Sequence, residues 1–214
     1  MKIRSVETRV VEIPFSDGGR GEGITPTTWR TLETVLIRIE DTDGNVGWGE
    51  AFGYFIADAA SSVVERLLKP MLEGTIIESI AQWNRRVQQQ LHLFGRYGVT
   101  MFAISGVDTA LWDLAAKRAG LPLHAFLGDG ARISMPTYAS LVRYADTDIA
   151  PRICEKALGE GFESIKLHEI DMRYVEACHR AVDHRAPISV DVNCSWDVAT
   201  ARENVERLAQ LGGI

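Results

Sequence analysis

From Ser134 onward the sequence alternates short apolar runs with amphipathic stretches. Met135 to Leu141, Phe162 to His168 and Ile188 to Val192 read as strands, and Asp148 to Gly159, Met172 to His184 and Trp196 to Leu211 read as helices. Each strand and its helix occupy about 25 to 30 residues, the size of one βα unit. Such a chain is confined to a parallel sheet with helical crossovers, because parallel neighbours need a long return connection. Two of the strands end in polar residues spaced two apart, Lys166 with His168 and Asp191 with Asn193. Side chains alternate across a strand, so each pair shares a face. Parallel pairing of the two strands then gathers a cation, an imidazole, a carboxylate and an amide at one sheet end, where (β/α) barrels carry their catalytic groups.

The preceding part has a different grammar. Residues 2 to 13 and Thr34 to Ile39 alternate polar with Val and Ile, Asp41 to Asn45 turns the chain, and Val46 to Ala51 returns as a third strand, giving an antiparallel meander. Between the first two strands lies Ser16 to Pro26, with glycines at 18, 19, 21 and 23. A loop of that length in a compact domain is a lid or a disordered tip. Helices follow over Ala57 to Lys69, ended by Pro70, Ile76 to Leu91, and Thr100 to Ala119, ended by Gly120 and Pro122. In the third, Ile104, Val107, Leu111, Leu114 and Ala115 recur at helical spacing and mark a buried face. Asp108 and Asp113 have no second ligand three or four residues on, so they read as packing or helix-surface carboxylates. The fold class is therefore an α+β domain over residues 1–130 followed by an incomplete (β/α) array over residues 131–214. Gly212-Gly213-Ile214 reads as the turn into a fourth strand, whereas a closed (β/α)₈ barrel needs roughly 250 residues. The array is expected to be the front part of a longer polypeptide, truncated at strand 4.

Composition narrows the function. A net charge of -6 with no basic run argues against nucleic acid and anionic membranes, which need clustered Lys and Arg. Cys154, Cys178 and Cys194 lack metal-ligand spacing and read as reduced thiols. The charged N-terminus cannot serve as a signal sequence and no apolar run looks long enough to span a bilayer, so a cytoplasmic location is expected.

Val107-Asp108-Thr109-Ala110-Leu111-Trp112-Asp113-Leu114-Ala115-Ala116-Lys117, continuing through Gly120-Leu121-Pro122-Leu123 and Leu127-Gly128, resembles the junction between capping domain and barrel in the mandelate racemase/muconate lactonizing enzyme branch of the enolase superfamily. Lys166-Leu167-His168 and Asp191-Val192-Asn193, with Trp196 following, resemble that branch as well, and the likeness runs over essentially the whole chain. It implies an α+β capping domain over a modified TIM-type barrel, one Mg²⁺, a small carboxylate substrate, removal of the proton next to that carboxylate, and a homo-oligomeric assembly. It gives Ser16 to Pro26 and the segment around Phe52-Gly53-Tyr54 the task of choosing substrate, with Tyr54 as a substrate-binding residue.

Removing a proton α to a carboxylate creates a dianionic enediolate, which a divalent cation and a fixed ammonium can neutralise as it forms. By resemblance, Asp191 is the first metal carboxylate and Asn193 touches substrate or the metal's outer shell. Relatives commonly carry Lys-x-Lys where this chain has Lys166-Leu167-His168. A lysine base needs its pKa lowered by about 3 units, whereas histidine already titrates near 6.5. A positive Lys166 on the same face would keep His168 neutral and available as the base. His168 could equally only hydrogen-bond substrate while the opposite barrel wall moves the proton. Glu169 and Glu50 read as surface or interdomain carboxylates, and Cys194 as a packing residue.

The leading reading is a Mg²⁺-dependent dehydratase of a hydroxy or sugar acid, ahead of a racemase or cycloisomerase. The alternatives are a Schiff-base aldolase using Lys166 and a truncated, non-catalytic assembly protein. A lone carboxylate leaves most of an octahedral shell to water, so this stretch by itself is expected to hold Mg²⁺ poorly.

Overall fold

The computed structural model describes residues 1–21, 28–128, 130 and 132–214. The chain divides into two compact units, Met1–Pro14 with Thr31–Ile133, and Phe15–Arg30 with Ser134–Ile214.

In the first unit β1 (Ile3–Pro14), β2 (Thr31–Asp41) and β3 (Val46–Phe52) form an antiparallel sheet in that order. Alternation along β2 buries Val35, Ile37 and Ile39 on one face. Ile3 and Val6 are three apart yet both buried, because the register of β1 shifts between Ile3 and Ser5. The helices are α1 (Ala57–Val63), α2 (Lys69–Leu72), α3 (Ile80–Gln90), α4 (Val99–Arg118) and α5 (Leu123–Leu127). Pro70 does not end the first helical stretch as its sequence suggests. The residues before it, Val64–Leu68, widen into a π-helical turn, and Pro70 then falls at the start of α2. A proline brings no N–H and crowds the carbonyl four residues back, and a local change of helical pitch accommodates both. Ser79 caps α3 through a 3.3 Å bond from the Gln82 N–H, so that helix begins later than Ile76.

Small residues on β3 bring α4 onto the sheet. A Cβ at Gly47 would fall 2.2 Å from the Ala110 carbonyl oxygen, and one at Gly49 would fall 2.1 Å from that of Gly106. This backbone-to-backbone approach buries Val107, Ala110, Leu111 and Leu114. Contrary to the sequence expectation, α4 is by length and composition apolar enough to cross a membrane. Its apolar residues are spent instead on the core with β2 and β3. Asp113 accepts the Trp48 N–H at 2.8 Å and Lys117 at 2.6 Å, and Asp108 accepts from Asn84 at 2.8 Å, which gives both carboxylates structural partners.

In the second unit β4 (Ala139–Ser140), α6 (Ile149–Gly159), β5 (Ile165–Leu167), α7 (Met172–Val182), β6 (Ile188–Val190) and α8 (Val198–Leu211) alternate in sequence. The strands are parallel in the order β4-β5-β6, with Lys166 opposite Ser140 on one side and Ser189 on the other. They are shorter than the apolar runs that announce them. Ile165, Leu167 and Ile188 bury against Ala150, Cys154, Ala157, Val175, Cys178 and Val182. Cys154 and Cys178 are buried free thiols; Cys194 is exposed, against the packing role expected of it, because it sits in a turn at φ 62°.

Between β1 and β2 in sequence, the described residues 15–21 and 28–30 form the base of a strap, closed by Phe15 N–H to Arg30 O at 3.0 Å and Trp29 N–H to Gly21 O at 2.7 Å. The Phe15 and Trp29 rings meet edge to face, with centroids 4.9 Å apart. The part of the expected loop from Glu22 to Pro26 lies outside the described residues.

Candidate active site

The end of the parallel sheet is built by β5 and β6. Burial of Ile165 and Leu167 on the helix side turns Lys166 to the opposite face. Pairing with β6 continues one step beyond the strand, where the Asp191 N–H donates to Leu167 O at 2.9 Å. Lys166 Nζ lies 3.0 Å from Asp191 Oδ2, and His168 Nδ1 lies 3.7 Å from the same oxygen. The Asp191 side chain remains 41% exposed, whereas that of His168 is 10% exposed.

Asn193 reaches the cluster by another route than expected. β6 stops at Val190, and Asn193 stands in a turn at φ 46°, so strand alternation does not set its side chain. Its backbone N–H instead donates to Asp191 Oδ1 at 3.0 Å. The Trp196 indole donates to Ile170 O at 2.9 Å and ties the following segment to the end of β5. Tyr54 belongs to the first unit, in the turn after β3, its ring 4.4 Å from that of Phe52.

The charges set one another. The hydrogen bond from Lys166, then the Asn193 N–H, hold the Asp191 carboxyl below its ordinary range against a smaller opposing effect of burial. Burial lowers the His168 pKa, Asp191 opposes the shift, and Arg143 and Lys166 add to it, so the imidazole is held neutral. Among the described residues His168 Nε2 is buried without a hydrogen-bond partner. A buried polar atom left in this way is suited to a group that arrives from outside the chain.

Two neighbours escaped the sequence reading. Arg143, in the connection after β4, donates from Nε to His168 O at 3.2 Å. Glu169 is 1% exposed rather than on the surface, its carboxylate accepting the Tyr144 N–H at 2.7 Å and that of Ala145 at 3.1 and 3.2 Å. Burial pushes its pKa up, partly offset by those bonds. Nothing in the string marked either residue, because their partners are backbone groups about 25 residues away. Glu50 is exposed on β3, as expected.

Asp191 offers one oxygen-donor carboxylate to a hard cation. Among the described residues no three His, Cys, Asp or Glu side chains form a group that could hold a metal ion. A complete Mg²⁺ shell would need further oxygen ligands.

Residues 10–128 match the family model of the mandelate racemase/muconate lactonizing enzyme N-terminal domain, and the chain belongs to that branch of the enolase superfamily. It is 34% identical over 193 residues to an arabinonate dehydratase of Saccharolobus solfataricus, covering 85% of this chain and 51% of that protein. It is 31% identical over 216 residues to a 3,6-anhydro-alpha-L-galactonate cycloisomerase of Streptomyces coelicolor, covering 97% and 59%. The crystal structure of a racemase from Streptomyces coelicolor A3(2) with bound magnesium superposes with a TM-score of 0.86 at 28% identity, covering 98% of this chain and 60% of that one. The chain thus spans about half to three-fifths of the length of these relatives. Superfamily members combine an N-terminal capping domain with a TIM barrel, and this chain has the sheet-and-helix N-terminal domain. The relatives are dehydratases, cycloisomerases and racemases.

Proposed function

We propose that this chain carries part of the active site of an enzyme that removes the proton α to a carboxylate, with dehydration of a hydroxy or sugar acid as its reaction. In this reading residues 1–130 are the capping domain and residues 131–214 the first three βα units of a barrel. The observation that carries it is the convergence of Lys166 and His168 on one oxygen of Asp191.

Asp191 fits as one ligand of Mg²⁺, being ionised and partly open to solvent. When bound, the cation supplies positive charge beside the substrate carboxylate. Lys166 holds a fixed ammonium at the same place and stabilises negative charge that develops as the proton leaves. His168, neutral and with Nε2 unpartnered, takes the proton. Asn193 fixes the Asp191 carboxylate through its backbone and is assigned to substrate with Tyr54. The Schiff-base alternative is disfavoured by the geometry, because the Lys166 Nζ that would have to attack a carbonyl is engaged by Asp191 Oδ2 at 3.0 Å. The sequence identity to an arabinonate dehydratase supports dehydration over racemisation.

The test, made on the whole enzyme to which this chain is proposed to contribute, is a screen of hydroxy and sugar acids for water loss and for α-hydrogen exchange in D₂O, with and without Mg²⁺. Exchange or dehydration that needs Mg²⁺ supports the reading; trapping of substrate on Lys166 by borohydride contradicts it.

A further inference from the structure

The strap and the end of β5 are joined by a continuous set of contacts within the second unit. Glu169 directly follows His168, and its buried carboxyl holds the backbone N–H groups of Tyr144 and Ala145. Ala145 stands at φ 50°, a conformation that an L-residue keeps only when its surroundings impose it. In the opposite direction Arg143 Nε grips His168 O. The segment 143–145 and residues 168–169 are thus clamped from both sides.

Tyr144 carries the contact onward. Its hydroxyl donates to Asp17 O in the strap at 2.8 Å, and burial raises its pKa to about 12, so it remains a donor throughout the physiological range. The strap has a shaped seat here. A Cβ on Gly18 would fall 2.7 Å from Ile153 Cδ1, and one on Gly19 would fall 2.8 Å from Tyr144 Cδ1. Arg152 on α6 also donates to Gly18 O at 3.1 Å, and Arg20 pairs with Asp146 at 2.9 Å. The last two are exposed and contribute little compared with a buried hydrogen bond.

We propose that Glu169 is a positioning residue that fixes the base of the strap, Phe15 to Gly21, to the strand end bearing His168, acting through the backbone and hydroxyl of Tyr144. The relay makes the strap and the His168 backbone move together, so a ligand that presses on one is felt by the other. Its importance for catalysis rests on the proposed role of His168; the mechanical link does not.

The experiment is amide hydrogen exchange on the purified protein without substrate, comparing wild type with Glu169→Ala, Glu169→Gln and Tyr144→Phe. Glu169→Ala is expected to speed exchange at Tyr144, Ala145 and the strap base by about tenfold or more while β1 to β3 keep their protection. Glu169→Gln should restore it, because one carbonyl oxygen can accept both N–H groups. Tyr144→Phe should loosen the strap base alone and leave Ala145 protected, and it serves if Glu169→Ala does not fold. Strap exchange unchanged in Tyr144→Phe, or Glu169→Gln behaving like Glu169→Ala, overturns the relay. Because no turnover is measured, a failure of the α-proton reading leaves these outcomes intact, and the reverse holds too.

Discussion

The Nζ of Lys166 stands 3.0 Å from Oδ2 of Asp191, the oxygen that His168 Nδ1 approaches to 3.7 Å. One carboxylate oxygen therefore stands beside the Lys166 amine from β5 and the imidazole of the residue that follows the strand. Lys166→Met deletes the largest influence holding Asp191 ionised. It is expected to lower α-hydrogen exchange by about 10²- to 10³-fold, the loss seen when one fixed donor to a developing anion is removed. Deuterium incorporation followed by NMR measures it, and wild-type exchange would remove Lys166 from the site.

His168→Asn keeps a polar group at the position but takes away the base. Loss of about 10²- to 10⁴-fold in exchange is expected, with ligand binding retained. Calorimetry of the non-reacting variant with substrate checks the second half. Equal loss of binding and rate would make His168 a contact rather than the base.

In the first unit Asp41 is buried and accepts from the Asp43 and Asn45 backbone, the Asn45 side chain and Arg118. Burial alone would raise its pKa, and these bonds overcome that effect and bring it to about 2 from 3.8. A depressed folded-state pKa stabilises fully above the unfolded value and loses that contribution as pH falls from 3.8 through about 2. Asp41→Asn should cost on the order of 2 kcal/mol at pH 7. Urea denaturation across pH should show the gap from wild type closing below pH 4, and a constant gap would contradict the linkage.

Gly49→Val should destabilise the first unit by about 1–3 kcal/mol or more, because overpacking forces backbone apart. Its Cβ would meet the Gly106 carbonyl at 2.1 Å. Thermal unfolding measures this; an unchanged Tm would mean that α4 can slide off β3 at no cost.

The meander and the strand–helix alternation were legible because burial imposes periods of 2 and 3.6 on Val35-Leu36-Ile37-Arg38-Ile39 and on α7. That Lys166, His168 and Asp191 come together was legible for the same reason, as polar letters ending apolar runs. Pro70 misled because local propensity cannot register a π turn formed against tertiary neighbours. Asn193 misled because a turn at φ 46° replaces the last strand positions. Glu169 and Arg143 were hidden because their partners are backbone groups about 25 residues away in sequence, and such contacts leave no period to read.

The most direct test of the central assignment is α-hydrogen exchange in D₂O with Mg²⁺ for the whole enzyme whose active site this chain is proposed to share, and for the same enzyme with Asp191→Ala. The account predicts metal-dependent exchange in the first and none in the second. Exchange that persists in Asp191→Ala, or that proceeds unchanged without the cation, would contradict it.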